Sequence, residues 1–477
     1  MIEGVIIIFG ASGDLTKRKI VPALYHLASN KKLGNYRIVG ASRERLSVDE
    51  WFEPVKEFID GLDENLFQEL KAHAHYQQLD FLNENDFKLL AQYVEAVERD
   101  YDLSGNRLLY LAAASDFYCP ITQQSAASGL ARKLASTELG VPTQRSVDGA
   151  KSYWHRLVYE KPFGRNLTDA QEINRCIASH FYEEQIYRVD HYLTKEVVNS
   201  IALVRFTNIV LEPLWNSTYI DNVQIILSET VGVENRGGYY DAYGAIADVV
   251  QNHMLELVAL IAMESPTVLT GEAIRTARAK VLAKVQVSDL LLGQYAGYRN
   301  EPMVKPDSTT ETFALLALTI DNDRWRGVPF FLKTGKCLAE KETVIHINFK
   351  KINCLLTHNC PTDSNYLTLQ ISPEAVFTLS LNIKKINTVD ELMPVNMEFC
   401  HSCIFGMITP EAYEVIFQEV ARGEQSISVR FDEIEACWRI VDGIKTKQLP
   451  LFTYEQKTTG PKEVALFEQK HTMRWRS

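Results

Sequence analysis

Residues 4–10, GVIIIFG, are an apolar run with no polar alternation, and a turn holding Gly10 and Gly13 follows at once. A strand without alternation suits burial on both faces, as in a parallel sheet covered by helices. The helical pattern VPALYHLAS comes next, then the short apolar runs YRIVGAS, NRLLYLAAA, SYWHRLVYEKPFG and QIYRVDHY, with helical stretches between them. Strands alternating with helices predict a Rossmann-like, doubly wound α/β domain over residues 1–189. Beyond residue 190 the pattern changes. DNVQIILSE, TTETFALLALTID, VPFFLKTGK, ETVIHINF, NYLTLQISP and AVFTLSLNIKK read as successive strands, many alternating in polarity, beside the helix AIADVVQNHMLELVALIAM. Residues 190–477 are therefore expected to form an α+β domain on a large, mainly antiparallel sheet.

A chain of 477 residues with 46% hydrophobic and 23% charged content has the composition of an ordinary globular protein. Its net charge of −11 argues against broad binding to nucleic acid or an anionic membrane, both of which select basic surfaces. A small phosphorylated ligand on a local basic cluster remains compatible. No run reaches the ~18 consecutive apolar residues of a membrane span, and no basic region precedes the first apolar run as in a signal peptide. The eight cysteines are scattered, which predicts reduced thiols and a cytoplasmic location. Cys354, Cys360, Cys400 and Cys403 could be grouped as zinc ligands, but they offer one close pair in apolar, strand-like surroundings, and no metal is expected. The closing KHTMRWRS reads as a solvated basic tail.

In IIIFGASGDLTKRK, a G-x-x-G turn between strand and helix lets the backbone approach a pyrophosphate whose charge faces amide N–H groups. No Gly-Lys-Ser/Thr closes the turn, so it is not a Walker loop. Pro22 predicts a break, kink or late start in the following helix, which keeps Lys17, Arg18 and Lys19 near the turn. The second strand ends GASRER, where an acidic residue would suit the ribose hydroxyls of NAD and Arg suits a 2′-phosphate. Arg43, with Ser12 and Arg45 in support, points to NADP, with NAD as the alternative.

In YRVDHYLTKE, Asp190, His191, Tyr192 and Lys195 put a carboxylate, an imidazole, a phenol and an ammonium within six positions. Taken with GASGDL and EKPFG before it and DVVQNH after it, and with the further matches VGVENRGGYYDAYGA and DNDRWRGVPFFLKTGK, this stretch resembles the glucose-6-phosphate dehydrogenase family from residue 4 to about residue 461. The resemblance implies oxidation of C1 of β-D-glucose 6-phosphate to 6-phospho-D-glucono-1,5-lactone with hydride transfer to NADP or NAD, the first step of the pentose phosphate pathway. It also implies a homodimer or homotetramer. Carried over by motif, His253 is the general base and Asp190 its carboxylate partner. His191, Tyr192 and Lys195 match the phosphate-binding residues, and Lys161 matches a lysine between substrate and cofactor. Glu229 and Asp248 match carboxylates that bind sugar hydroxyls, and Lys336 and Lys341 match substrate-side cations. Gly10, Ser12, Gly13, Asp14, Leu15, Lys19, Arg43 and Lys161 fall on the cofactor side.

The chemistry asks for such groups. Hydride leaves an alcohol carbon more easily when a base removes the hydroxyl proton, and histidine titrates near ~6.5. A carboxylate stabilises the imidazolium and fixes its tautomer. In an extended segment Asp190 and His191 would face opposite ways, and Thr194 could cap a helix starting near Lys195. Asp248 and His253, five apart, would not share a face of an α-helix. Thr16, Ala114, Ser115, Thr194, Leu292 and the sequence TTGP at 458–461 depart from the usual residues of the family. Two rivals stay open: another NADP-dependent sugar oxidoreductase carrying the EKP element, and a non-catalytic binding protein on the same fold.

Overall fold

The computed structural model describes residues 1–134, 144–145, 152–351, 364–389, 391–400, 403, 410–447 and 449–476. They divide into two compact units. The first comprises Met1–Thr194, Thr270–Arg275 and Pro410–Ile434, so two later segments join the span expected to end at residue 189.

Its strands are β1 (Ile2–Phe9), β2 (Leu33–Ser42), β3 (Ala74–Gln78), β4 (Arg107–Leu111), the short pair β5 (Gln144–Arg145) and β6 (Ser152–Tyr153), β7 (His155–Tyr159) and β8 (Ile186–Arg188). Six of them form one sheet in the order β3-β2-β1-β4-β7-β8. Every pairing in it is parallel, with Phe9 level with Ala41 on one side and Leu111 on the other. That order reverses direction at β1/β4, the switch point of a doubly wound sheet. Strand β3, AHYQQ, escaped the sequence reading because it is an edge strand with one fully buried residue, Ala74.

The missing alternation in GVIIIFG has its explanation in two cores. Ile6 and Ile8 pack with Leu24, Trp51 and Phe52 on one face, while Ile7 and Phe9 pack with Phe87, Leu90 and Tyr118 on the other. The returning helix Ala412–Arg422 adds Ile416, Phe417 and Val420 to the first of these cores. Burying a side chain the size of Phe417 contributes roughly 2–3 kcal/mol. Arg156 tethers the helix end by donating to the carbonyl oxygens of Val420 (2.5 Å) and Ala421 (2.8 Å).

The second unit comprises Lys195–Leu269, Thr276–Thr409 and Glu435–Ser477. Its strands are β9 (Ile220–Ser228), β10 (Val285–Tyr295), β11 (Phe313–Ile320), β12 (Phe330–Gly335), β13 (Glu342–Phe349), β14 (Tyr366–Ser372), β15 (Val376–Lys384), β16 (Leu392–Cys400) and β17 (Leu451–Tyr454). They form one sheet in the order β16-β15-β14-β13-β9-β12-β11-β10-β17. It is mainly antiparallel, with two parallel pairings, β9/β12 and β10/β17. Strands β10, β16 and β17 were not read from the sequence. In β10 a register shift between Val287 and Asp289 interrupts the alternation, and β16 carries Pro394, which an edge strand tolerates.

Two sequence expectations need correcting, one on the C-terminal tail and one on the cysteines. The C-terminal residues are not a solvated tail: Trp475 packs on Phe331, and Arg476 donates to Asn348 Oδ1 at 2.9 Å. The expectation of no membrane-spanning run is unaffected by the helical run Glu234–Ala262, which is long and apolar enough to cross a membrane but whose most apolar stretch is 94% buried in protein, as in a core helix. The thiols are not all reduced. Cys119 is bonded to Cys176 and Cys400 to Cys403, which removes the CHSC pair from any zinc set, while Cys337 and Cys437 are buried thiols. Cys354 and Cys360 lie outside the described residues.

Candidate active site

Because the six strands of the first sheet run parallel, their C-terminal ends share one edge, where ligands of such folds bind. The sequence-predicted residues of this unit follow those ends: Gly10–Leu15 after β1, Arg43 after β2, Lys161 after β7, and Asp190–Tyr192 after β8. At the switch point Gly10 has φ +83°, and an added Cβ would lie 2.3 Å from the carbonyl oxygen of Ala112. Only glycine fits there. The Gly10 N–H donates to Ala41 O (2.9 Å), while Gly10 O accepts from Gly13 N–H (2.9 Å) and the Thr16 hydroxyl (3.0 Å).

The helix then begins near Asp14 and passes through a π-turn at Thr16–Ile20, where Val21 N–H bonds to Thr16 O, before the α-helix Val21–Ser29. The wider turn absorbs Pro22, which has no N–H for an ordinary α bond, so the predicted irregularity takes the form of a π-bulge. Arg18 pairs with Asp14 (2.7 Å), and Lys19 lies 3.4 Å from Glu411. Arg43 and Arg45 are exposed immediately beyond β2. Ser12 and Leu15 belong to the turn and its helix start.

After β7, Glu160 precedes Lys161, whose bond to Pro162 is cis. The Glu160 carboxylate accepts from Tyr110 (2.6 Å) and from Tyr413, and its main-chain oxygen accepts from Tyr118. Burial pushes the Glu160 carboxyl up to about 7, against the pull of those two phenols and Lys161, with Asp190 adding to the rise. The sequence reading assigned Lys161 and passed over its neighbour. The acidic residue of EKPFG was the available signal.

Residues 190–194 form a turn rather than the extended segment expected. Asp190 Oδ1 accepts from Tyr192 N–H (2.8 Å), and Leu193 N–H donates to Asp190 O (3.0 Å). This Asx turn, not strand alternation, sets the directions of Asp190 and His191. Thr194 does not cap the next helix. Its hydroxyl donates to His191 O at 2.9 Å, and Lys195 is the N-cap of Glu196–Thr207 without a side-chain cap.

In the second unit, β9 and β12 are parallel neighbours with Ser228 level with Gly335, so Glu229 and Lys336 emerge side by side. Backbone bonds lock the two loops: Glu229 N–H to Gly335 O (3.0 Å), Cys337 N–H to Val231 O (3.1 Å) and Leu338 N–H to Glu229 O (2.9 Å). Lys336 is ion-paired with Glu229 and lies 5.0 Å from the Tyr240 ring centroid. These three residues, with Arg236 and Lys341, line a pocket of about 340 Å³. Tyr240 and Arg236 were not singled out from the sequence, although the aromatic run GGYYDAYG held the signal.

Asp248 and His253 lie on a π-helical segment, Ile246–Met254, and both are buried. In an i→i+5 turn, residues five apart stand nearly above one another, so the α-helical objection to a shared face does not apply. Gly244, at φ +69° and ψ 177°, breaks the preceding helix, and Glu311 accepts from Ile246 N–H at 3.0 Å to cap the new start. Asp248 accepts from Tyr239 (3.3 Å), whose phenol is pushed up by burial and by that carboxylate.

Comparison with known proteins covers nearly the whole chain. The family model "Glucose-6-phosphate dehydrogenase, NAD binding domain" matches residues 7–200, and "Glucose-6-phosphate dehydrogenase, C-terminal domain" matches residues 202–476. The chain belongs to the glucose-6-phosphate dehydrogenase family. Glucose-6-phosphate 1-dehydrogenase of Bacillus subtilis is 37% identical over 497 residues, covering 99% of this chain and 98% of the relative. That of Streptococcus pneumoniae is 36% identical, covering 99% and 96%. A glucose-6-phosphate dehydrogenase solved with its substrate glucose 6-phosphate superposes with a TM-score of 0.89 at 29% identity over the whole of both chains. The Mycobacterium avium enzyme gives 0.85 at 29% identity, covering 100% of this chain and 98% of that one.

Departures from the family pattern find local accommodation. Ala114, where the family often has proline, adopts φ −63°, the value a proline ring would hold. Thr16 uses its extra hydroxyl on Gly10 O and Thr194 its own on His191 O. Leu292 sits within β10, level with Leu451 and Ala314. Thr458, in the TTGP stretch, accepts through its carbonyl from Ala339 N–H at 2.9 Å.

Proposed function

We propose that this chain oxidises C1 of β-D-glucose 6-phosphate to 6-phospho-D-glucono-1,5-lactone, with His253 as general base, Asp190 orienting it, and NADP as the preferred hydride acceptor. Family membership over both halves makes it an oxidoreductase on a nicotinamide dinucleotide. The observation that carries the substrate reading is the Glu229–Lys336 pair at adjacent parallel strand ends, with Lys341 lining the same pocket. Carboxylates there accept sugar hydroxyls, and lysines answer the charge of an anionic substrate. Asp248, Lys161, His191, Tyr192 and Lys195 complete the proposed substrate contacts. The cofactor residues are Gly10, Ser12, Gly13, Asp14, Leu15, Lys19 and Arg43, with Lys161 facing both ligands. Arg43 supports NADP because a guanidinium one residue past β2 suits a 2′-phosphate. A cytoplasmic homodimer or homotetramer is the assembly the family suggests.

In the reaction, His253 takes the C1 hydroxyl proton while hydride leaves C1 for the nicotinamide. The bound dinucleotide supplies the electron sink, and this chain's residues bind, orient and remove the proton. The test is turnover with glucose 6-phosphate and NADP, then with NAD and with unphosphorylated glucose, followed by reduced-nicotinamide absorbance. The phosphorylated sugar alone should react, NADP should give the higher kcat/KM, and His253→Asn should lower kcat by about 10³-fold or more without losing cofactor binding. Equal turnover in His253→Asn would remove that residue from the role of base.

A further inference from the structure

The three tyrosines around Glu160 come from separate parts of the first unit: Tyr110 from β4, Tyr118 from the helix Tyr118–Ala127, and Tyr413 from the returning helix Ala412–Arg422. Two phenols hold the carboxylate and the third holds the main-chain oxygen, so both ends of residue 160 are fixed. The next residue is Lys161, and Asp190 is close enough to interact electrostatically with the same carboxyl. A largely buried acid clamped this way is more than the stability of a strand end requires, because a buried carboxyl costs free energy that an apolar residue would not.

We infer that Glu160 is a positioning residue for the dehydrogenase reaction, acting through Lys161 and Asp190 rather than by touching substrate. The inference rests on the placement of Lys161 and Asp190 proposed above. When protonated, Glu160 adds no negative charge to the surroundings of Lys161 and Asp190, both of which interact electrostatically with its carboxyl. When ionised, it attracts the Lys161 charge, repels that of Asp190, and raises the negative potential around both. The groups facing it are Tyr110, Tyr118, Tyr413, Lys161 and Asp190, and its ionisation near neutrality falls within the working range of a histidine base.

The test compares kcat and both KM values of the wild type, Glu160→Gln, Glu160→Leu and Tyr413→Phe from about pH 5.5 to about pH 9, with urea unfolding in parallel. Glutamine keeps the polar shape but cannot ionise. The ratio of wild-type to Glu160→Gln kcat should therefore change by about threefold or more between about pH 6 and about pH 8. Tyr413→Phe removes a donor that favours the carboxylate, so the wild-type inflection should move to higher pH. Glu160→Gln should also retain more kcat than Glu160→Leu. A ratio that stays flat with pH, or losses confined to unfolding midpoints, would overturn the inference. Lys161→Met separates the two failures. If that variant is impaired while the Glu160 ratio is flat, only the role of Glu160 falls. If Lys161→Met behaves as wild type, the placement of Lys161 fails and the inference goes with it.

Discussion

Under the proposed function, the glycine turn of the first unit and the strand-end pocket of the second would receive anionic ligands by opposite means. At Gly10 the fold offers absence: no Cβ, a positive φ, and a backbone brought against Ala112 at the switch point. At Glu229 and Lys336 it offers charged side chains aligned by two parallel strands and locked by loop-to-loop backbone bonds. The first site depends on what the main chain can do, the second on which side chains stand at its ends. Substitutions should therefore fail differently in the two places.

Gly10→Ala should have the largest effect. The new methyl would meet Ala112 O in a conformation non-glycine residues avoid, so the turn must move. We expect a stability loss of about 3 kcal/mol in urea unfolding and loss of measurable NADPH binding in a fluorescence titration. Retained cofactor affinity would break the contrast, because it would make side chains rather than backbone the principal holders. Lys336→Met comes next. It leaves the strands intact, so the unfolding midpoint should move little, while KM for glucose 6-phosphate should rise about tenfold to hundredfold at unchanged cofactor affinity. An equal loss of cofactor affinity would show that the two ligands are not served by separate devices.

The same difference governs what could be read in advance. The parallel sheet was legible because its two-faced strands read as apolar runs, and Gly10 and Gly13 marked a turn of close backbone approach, though not the positive φ of Gly10. Edge strand β3, with its polar AHYQQ, was not, and β10 hid behind the irregularity at Val287/Asp289. In the second unit no local signal says that Glu229 and Lys336, 107 residues apart, are neighbours, since their proximity comes from β9 and β12 pairing in parallel. Only resemblance to the family named them together. The π-helical register of Asp248 and His253 was equally invisible, because Gly244 and Glu311, distant in sequence, create the helix start that sets it. The Asx turn at Asp190 could have been anticipated from Asp-x-x within a short polar stretch, but the strand was carried to Tyr192, past its end at Arg188 and the single bridge at Val189.

Thr16 sharpens the contrast with the smallest effect. Its hydroxyl donates to Gly10 O, which also accepts from Gly13 N–H. If the turn is a main-chain device, removing the hydroxyl subtracts one hydrogen bond and leaves in place the amides proposed to face the dinucleotide. Thr16→Val keeps the shape and deletes the donor, so it should cost about 1 kcal/mol in urea unfolding and change the NADPH dissociation constant by less than about threefold. Thr16→Ser keeps the donor and should fall closer to wild type in affinity. A loss of affinity beyond about tenfold in Thr16→Val, with Thr16→Ser unaffected, would mean that the hydroxyl governs ligand binding. The first unit's turn would then depend on a side chain, as the pocket of the second does.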